Sequence, residues 1–119
     1  MKDGAERSLR ERTKAFALQI IRLYVTLPKT TEAQVLGRQV LRSGTSVGAH
    51  YREAQRAKSD ADLISKLEGG LQELEETGYW LELLSDAGIV SYERLVSIRN
   101  ETEQLTAILV TMVKRIKRA

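Results

Sequence analysis

Gln39-Val-Leu-Arg-Ser-Gly-Thr-Ser-Val-Gly-Ala-His-Tyr-Arg-Glu-Ala-Gln-Arg-Ala-Lys58 is the stretch on which the fold turns. At about 100° per residue it wraps into three different faces. Leu36, Val40, Val47, Tyr51 and Ala54 fall on one side, with Gly44 at the edge, and make a core stripe. Gln39, Ser43, Ser46, His50 and Glu53 recur at offsets of three, four and seven, a polar stripe beside it. Arg38, Arg42, Arg52 and Arg56 lie on a third side, roughly opposite the apolar one. A helix divided in this way is built to pack on two sides.

The same periodicity extends in both directions. Ser8 with Glu11 makes a capping-box pattern that opens a first helix. Phe16, Ile20, Leu23, Tyr24 and Leu27 follow at helical spacing, and Pro28 ends the run. Thr31 with Gln34 repeats the capping pattern and opens the second, longest helix. Ser59, ahead of Asp60 and Asp62, begins a third, with acids where the helix dipole favours them. Its expected stripe is Leu63, Leu67, Leu71, Leu74, Gly78, Leu81 and Ser85, and Gly88 stops it. Ser91 opens a fourth helix with Leu95, Ile98, Thr102, Leu105, Leu109, Met112 and Ile116 near heptad spacing. No segment alternates like a strand. The expectation is an all-α, antiparallel up-down-up-down four-helix bundle with helices over about 8–27, 31–58, 60–87 and 91–117, one domain spanning 1–119.

Composition agrees with that class. The 119 residues are 42% hydrophobic and 29% charged, which argues for a packed core rather than disorder. Aromatics make up only 5%, so the core must be aliphatic. There is no cysteine, which removes disulfides, thiol nucleophiles and cysteine-ligated metals and is compatible with a reducing cytoplasm. No apolar run reaches the ~18 residues of a membrane span, and the N-terminal stretch lacks the apolar segment of a secretory signal. A cytoplasmic protein with no membrane role is expected.

Charge is unevenly spread. Residues 59–86 hold eight carboxylates and one lysine, a net −7, so with the chain at +3 the remainder carries +10. Such an excess suits a polyanion or an acidic protein partner, or acidic and basic helices that complement one another within an assembly. The arginine stripe from Arg38 to Arg56 spans roughly 27 Å of helix, enough to follow several phosphates. No aromatic interleaves it, so any binding is backbone-directed and salt-sensitive. Arg7, Arg10 and Arg12 at the start of the first helix and Lys114, Arg115, Lys117 and Arg118 at the end of the fourth fall at one end of an up-down bundle.

Enzymatic readings fail on inventory. A di-metal carboxylate bundle needs two Glu-x-x-His pairs, and this chain has one histidine, with His50-x-x-Glu53 in reverse order. A single metal on His50, Glu53 and a glutamate of the third helix is a remote alternative. Ser43 or Ser46 beside His50 lacks the strained turn and oxyanion donors of serine catalysis. No cofactor and no metal are expected. The polar stripe reads instead as a buried hydrogen-bond network in which Gln39, Arg42, Ser43, Ser46 and His50 meet Glu73 and Glu76. Trp80 falls on a flank with Gly69, Glu73, Thr77 and Leu84, where an indole needs a cover. The interior glycines point to close helix approach, within the subunit or between subunits.

Three segments carry a resemblance to a known family. They are Gln39-x-x-Arg42-Ser43-Gly44-Thr45-Ser46-Val47-Gly48-Ala49-x-x-x-Glu53-Ala54, then Arg56-Ala57-Lys58-Ser59-x-x-Asp62, then Glu73-x-x-Glu76-Thr77-x-Tyr79-Trp80-Leu81-x-Leu83-Leu84. Together they closely resemble the bacterial four-helix-bundle family whose founding members are encoded in intervening sequences of 23S ribosomal RNA genes. The match covers about Phe16 to Leu84; the fourth helix agrees only in length and pattern. The resemblance implies a cytoplasmic bundle forming a ring-shaped homopentamer, without enzymatic activity and with suspected RNA association. A related group acts with reverse transcriptases of diversity-generating retroelements through a basic surface, which implies a reverse transcriptase or ribonucleoprotein as a further partner class. Two positions depart from the family pattern: His50 replaces a usual Asn, which introduces a titratable group into the polar stripe, and Leu63 replaces a common Phe. Binding of RNA or DNA by a homo-oligomer is the functional expectation; a protein-binding scaffold with an acidic partner is the alternative.

Overall fold

A hydroxyl residue in extended conformation precedes each of the last three helices. Thr30 accepts from the Ala33 amide at 3.4 Å and Ser59 from the Asp62 amide at 3.0 Å, while Ser91 caps by backbone conformation without a side-chain bond. The computed structural model describes the backbone of residues 4–119 and the side chains from Leu9 onward. It contains α1 (Gly4–Val25), α2 (Thr31–Ala54), α3 (Asp60–Asp86) and α4 (Tyr92–Arg118), with no strand among the described residues.

Three expected boundaries are corrected. The first helix begins at Gly4, not Ser8, because Ala5, Glu6 and Arg7 are good helix formers with nothing to break them. Thr30, not Thr31, caps α2; Gln34 instead donates to the Pro28 carbonyl at 2.8 Å and accepts from the Tyr24 hydroxyl at 3.3 Å. The second helix ends at Ala54, not Lys58, because the last residues must turn to meet the Ser59 cap, where the Lys58 amide donates to Asp62 at 3.3 Å. The α3 stop falls where expected. Gly88 takes φ +73°, and the amides of Gly88 and Ile89 close on Ser85 and Leu84 at 3.0 Å.

The four helices form an antiparallel bundle. Arg10 meets Gln55 and Arg94 meets Thr26, so α1 runs against α2 and α4; Lys117 meets Glu68, so α4 runs against α3. Phe16 and Ile20 of α1, Val40 and Val47 of α2, Leu67, Leu74, Leu81 and Leu84 of α3, and Leu95, Leu105 and Leu109 of α4 are sealed from solvent. The α1, α2 and α4 stripes face inward much as their spacing predicts. The α3 stripe is rotated: Gly70, Thr77 and Leu84 are buried, whereas Leu71, Gly78 and Ser85 sit at its margin. Small residues explain the rotation, since Gly70 and Thr77 let α3 approach its neighbours more closely than a leucine would.

The seams are unequal. The α2–α3 contact is the most extensive and α1–α4 by far the least. Glycines tighten the α1–α2 seam: a Cβ on Gly44 would lie 2.7 Å from Ile20 Cγ1. The close approach therefore lies within the subunit. Across α1–α4, Arg12 is forked onto Glu101 (2.7 and 3.1 Å), Gln19 donates to Ser97 (3.3 Å) and Arg94 to Thr26 (2.9 Å).

Candidate nucleic-acid interface

The cations separate into two groups once the helices are packed. Arg12 is bound to Glu101 and Gln104, which hold it in the α1–α4 seam; its hydrogen bond to Glu101 raises the guanidinium pKa further, against a smaller opposing effect of burial. Arg42 reaches Glu73 with both terminal nitrogens, at 3.2 and 3.0 Å, and Glu76 at 2.7 Å. Lys117 pairs with Glu68 at 3.5 Å, and Lys66 lies 4.0 Å from Glu53. Arg10, Arg38, Arg52, Arg56, Lys114, Arg115 and Arg118 are exposed and make no ion pair among the described residues. The Arg7 side chain lies outside the described residues.

Placement sharpens that second group. Arg10, near the start of α1, Arg52, in the last turn of α2, and Arg56, in the turn just after it, line one cleft of about 550 Å³ with Gln55. The α4 tail lies at the same end, because Met112 joins Tyr51, Ala54 and Asp60 in a neighbouring cleft of mixed polar and apolar lining. Arg38 stands apart, fourteen residues or roughly 21 Å back along α2 from Arg52. The stripe expected as one continuous track is thus divided between the two ends of the bundle.

The polar stripe faces α3, as its pairing with Glu73 and Glu76 requires, but it is a graded seam rather than a buried network. At its floor Ser43 and Thr77 are sealed from solvent with their hydroxyls 2.7 Å apart. At its rim Glu73 is only 13% exposed while the Arg42 side chain is 52% exposed. The Glu73 hydrogen bond is the largest cause of a raised Arg42 pKa. His50 is half-buried, with Nε2 3.7 Å from Glu73 and Nδ1 3.8 Å from Glu53. Its ring lies over Gly69, where a Cβ would sit 2.7 Å from Nδ1, so glycine at 69 makes room for the imidazole. Ser46 bonds back to the Arg42 carbonyl at 2.6 Å, and neither Ser43 nor Ser46 is bonded to His50. Gln39 is exposed. No group of three or more His, Asp or Glu side chains comes together to hold a metal among the described residues.

Trp80 is half-buried against the core of its own subunit, 5.1 Å from the exposed Tyr79 ring, with its indole N–H buried and unpartnered. Thr77 and Leu84, expected beside it on the flank, are core residues. Leu63, the second departure from the family pattern, is partly buried and lines the cleft it shares with Met112 and Tyr51. Sequence reasoning missed Gln55, which holds Arg10 at 3.1 Å, and Glu101, which neutralises Arg12; neither has a local signal, since the partners are 45 and 89 residues away. No helix is long and apolar enough to cross a membrane among the described residues.

Comparison with known proteins bears on the whole bundle. The sequence matches the family described as "23S rRNA-intervening sequence protein" over residues 7–111. A solved structure of similar fold is a protein of unknown function from the S23 ribosomal protein family of Bacteroides thetaiotaomicron VPI-5482. It is 38% identical, with a TM-score of 0.86, over 92% of this chain and 97% of that one. No curated protein matches the chain. With the fold, the α2–α3 seam and this match in agreement, the chain belongs to the 23S rRNA-intervening sequence protein family.

Proposed function

We propose that the protein is a non-catalytic homo-oligomer, a ring of five copies, that binds RNA or DNA in the cytoplasm through its basic end. The observation that carries this reading is the segregation of unpaired cations. Arg10, Arg52 and Arg56 stand at the end of the bundle where Lys114, Arg115 and Arg118 also terminate, free of the carboxylates that neutralise Arg12 and Arg42. A ring repeats that end around one rim and adds avidity to weak single contacts. Self-assembly is supported by a second feature: Leu18, Ile21 and Val25 lie exposed along the outer face of α1, an apolar stripe on the side away from the core.

Light scattering tests assembly, with a particle five times the 13.4 kDa subunit expected and a monomer at micromolar concentration rejecting it. Ile21→Glu, placed where the side chain is 40% exposed, should weaken assembly without unfolding the subunit. Structured RNA and duplex DNA should bind with an affinity that falls steeply with salt; absence of binding at ~50 mM salt rejects the nucleic-acid reading. The same apolar stripe favours a second reading, a protein-binding scaffold with an acidic protein partner and no nucleic-acid role; a reverse transcriptase or ribonucleoprotein remains a partner class under the first reading. Retained capture of one protein without nucleic-acid binding would select it.

A further inference from the structure

We propose that the cleft between the start of α1 and the end of α2 is a phosphomonoester site, and that it takes the terminal phosphate of a nucleic-acid strand. The inference rests on the nucleic-acid reading above and makes it specific to one place and one chemical group. The cleft, of about 550 Å³, is lined among the described residues by Arg10, Arg52, Gln55 and Arg56, with no described carboxylate in its walls. That volume is in the range of small-ligand sites.

Three features distinguish it from an ordinary solvated basic face. Arg52, in the last turn of α2, and Arg56, in the turn that follows Ala54, bring two like charges close together, and neither has an ion-pair partner among the described residues. The negative end of the α2 dipole favours Arg52 in the last turn but does not neutralise two guanidiniums. Arg10 comes from another helix and adds a third cation to the same cleft, its Nη1 held 3.1 Å from Gln55 Oε1. That hydrogen bond ties Arg10 to Gln55, a residue of the same cleft. Elsewhere the chain neutralises its inward-leaning arginines with glutamates, as at Arg12 and Arg42. Here three arginines line one cleft with no ion-pair partner among the described residues.

The number of charges selects the ligand. An internal phosphodiester brings one negative charge to three guanidiniums, and its neighbours along the strand fall outside a cleft this small. A phosphomonoester carries about −1.5 to −2 at neutral pH and has three free oxygens for planar, bidentate donors. A strand end also enters a cleft without the steric demand of chain continuing on both sides. The chemistry is shared with free phosphate and nucleoside monophosphates, so the test includes them.

Short single-stranded RNA carrying either a 5′-monophosphate or a 5′-hydroxyl, labelled at the 3′ end, is titrated with the full chain at ~50 mM salt. The 5′-phosphorylated strand should bind about tenfold more tightly, a ratio that falls to near one in Arg56→Gln and in Arg52→Gln/Arg56→Gln. Arg38→Gln, at the other end of α2, should leave the ratio intact while weakening both strands alike. Equal affinity of the wild type for the two strands, or a preference surviving the double substitution, overturns the proposal and leaves general nucleic-acid binding standing. If neither strand binds, the broader reading fails by itself, and adenosine monophosphate and inorganic phosphate decide the cleft. Saturable thermal protection by either, lost in Arg56→Gln, supports a free phosphomonoester as the ligand; no protection overturns the site.

Discussion

The Ser43 and Thr77 hydroxyls lie 2.7 Å apart at the floor of the α2–α3 seam, and neither side chain touches solvent. Thr77 Oγ1 also donates to the Glu73 carbonyl at 2.8 Å. A threonine hydroxyl has one proton, so Ser43 must donate to Thr77. The result is a directed chain from Ser43 through Thr77 to the α3 backbone. Thr77→Val removes the acceptor and strands the Ser43 donor near the Val40 carbonyl at 3.5 Å, so it should cost about 1–3 kcal/mol. Ser43→Ala removes only the donor and should cost less, because Thr77 keeps its carbonyl. A double-mutant cycle by urea denaturation checks this, with a non-zero coupling energy expected; additive single effects reject the chain.

The interior glycines divide by what surrounds them. Gly44→Ala would place a Cβ 2.7 Å from Ile20 Cγ1 and 3.0 Å from Cγ2, and a β-branched core side chain has little room to retreat. It should lose about 1–3 kcal/mol by overpacking. Gly78→Ala meets nothing within 4 Å and should gain about 0.5–1 kcal/mol from the higher helix propensity of alanine. Melting temperatures moving in the same direction for both substitutions would contradict the packing described for α1 and α2.

Arg42→Ala separates a rim contact from a buried network. The pair is bidentate and Glu73 is largely covered, but Arg42 itself is 52% exposed, so solvent screening keeps the cost well below the ~3–5 kcal/mol of a fully buried pair. A loss of about 1–2 kcal/mol of stability, read from a lowered denaturant midpoint, is expected. The raised Arg42 pKa adds stability that is fully present below the ordinary guanidinium range and lost only as pH rises through the still higher folded value. Salt, not neutral-range pH, should therefore weaken this contribution.

Arg12 and the α4 tail should part company in function. Arg12→Gln removes the forked Glu101 contact and should cost about 1 kcal/mol of stability with little change in nucleic-acid binding. Replacing Lys114, Arg115, Lys117 and Arg118 by glutamine should flatten the salt slope of binding while changing stability by less than about 1 kcal/mol, since the Lys117–Glu68 pair is exposed. Salt-dependent anisotropy and thermal melts on both variants provide the check; an Arg12 effect on binding as large as the tail's would place Arg12 in the interface.

Regular periodicity made the helices legible, and single polar residues with local partners made most of their ends legible: Ser59 with Asp62, and Gly88 after Asp86. The rotation of α3 was not legible, because Gly70 and Thr77 carry weak hydrophobic signal and gain their core role only when a second helix comes close. The same limit applies to charge. Arg10 and Arg12 are nearly identical in local sequence, yet one turns to Gln55 and a cleft while the other is claimed by Glu101, far along the chain. The family-like run in α2 correctly indicated which helix faces Glu73 and Glu76, since those partners also lie at fixed helical spacing.

The loosely closed seam between α1 and α4 has a kinetic consequence. Each of the three extensive contacts joins helices adjacent in sequence, and only α1–α4 requires the chain's two ends to meet. Loop closure before contact formation is therefore short throughout, which gives a low contact order and a rapidly folding topology. Hairpins α1–α2, α2–α3 and α3–α4 can assemble by zippering, and the bridge from Arg12 to Glu101 is expected to close last, after the main barrier. Weakening that bridge should then accelerate unfolding while leaving the folding rate almost unchanged.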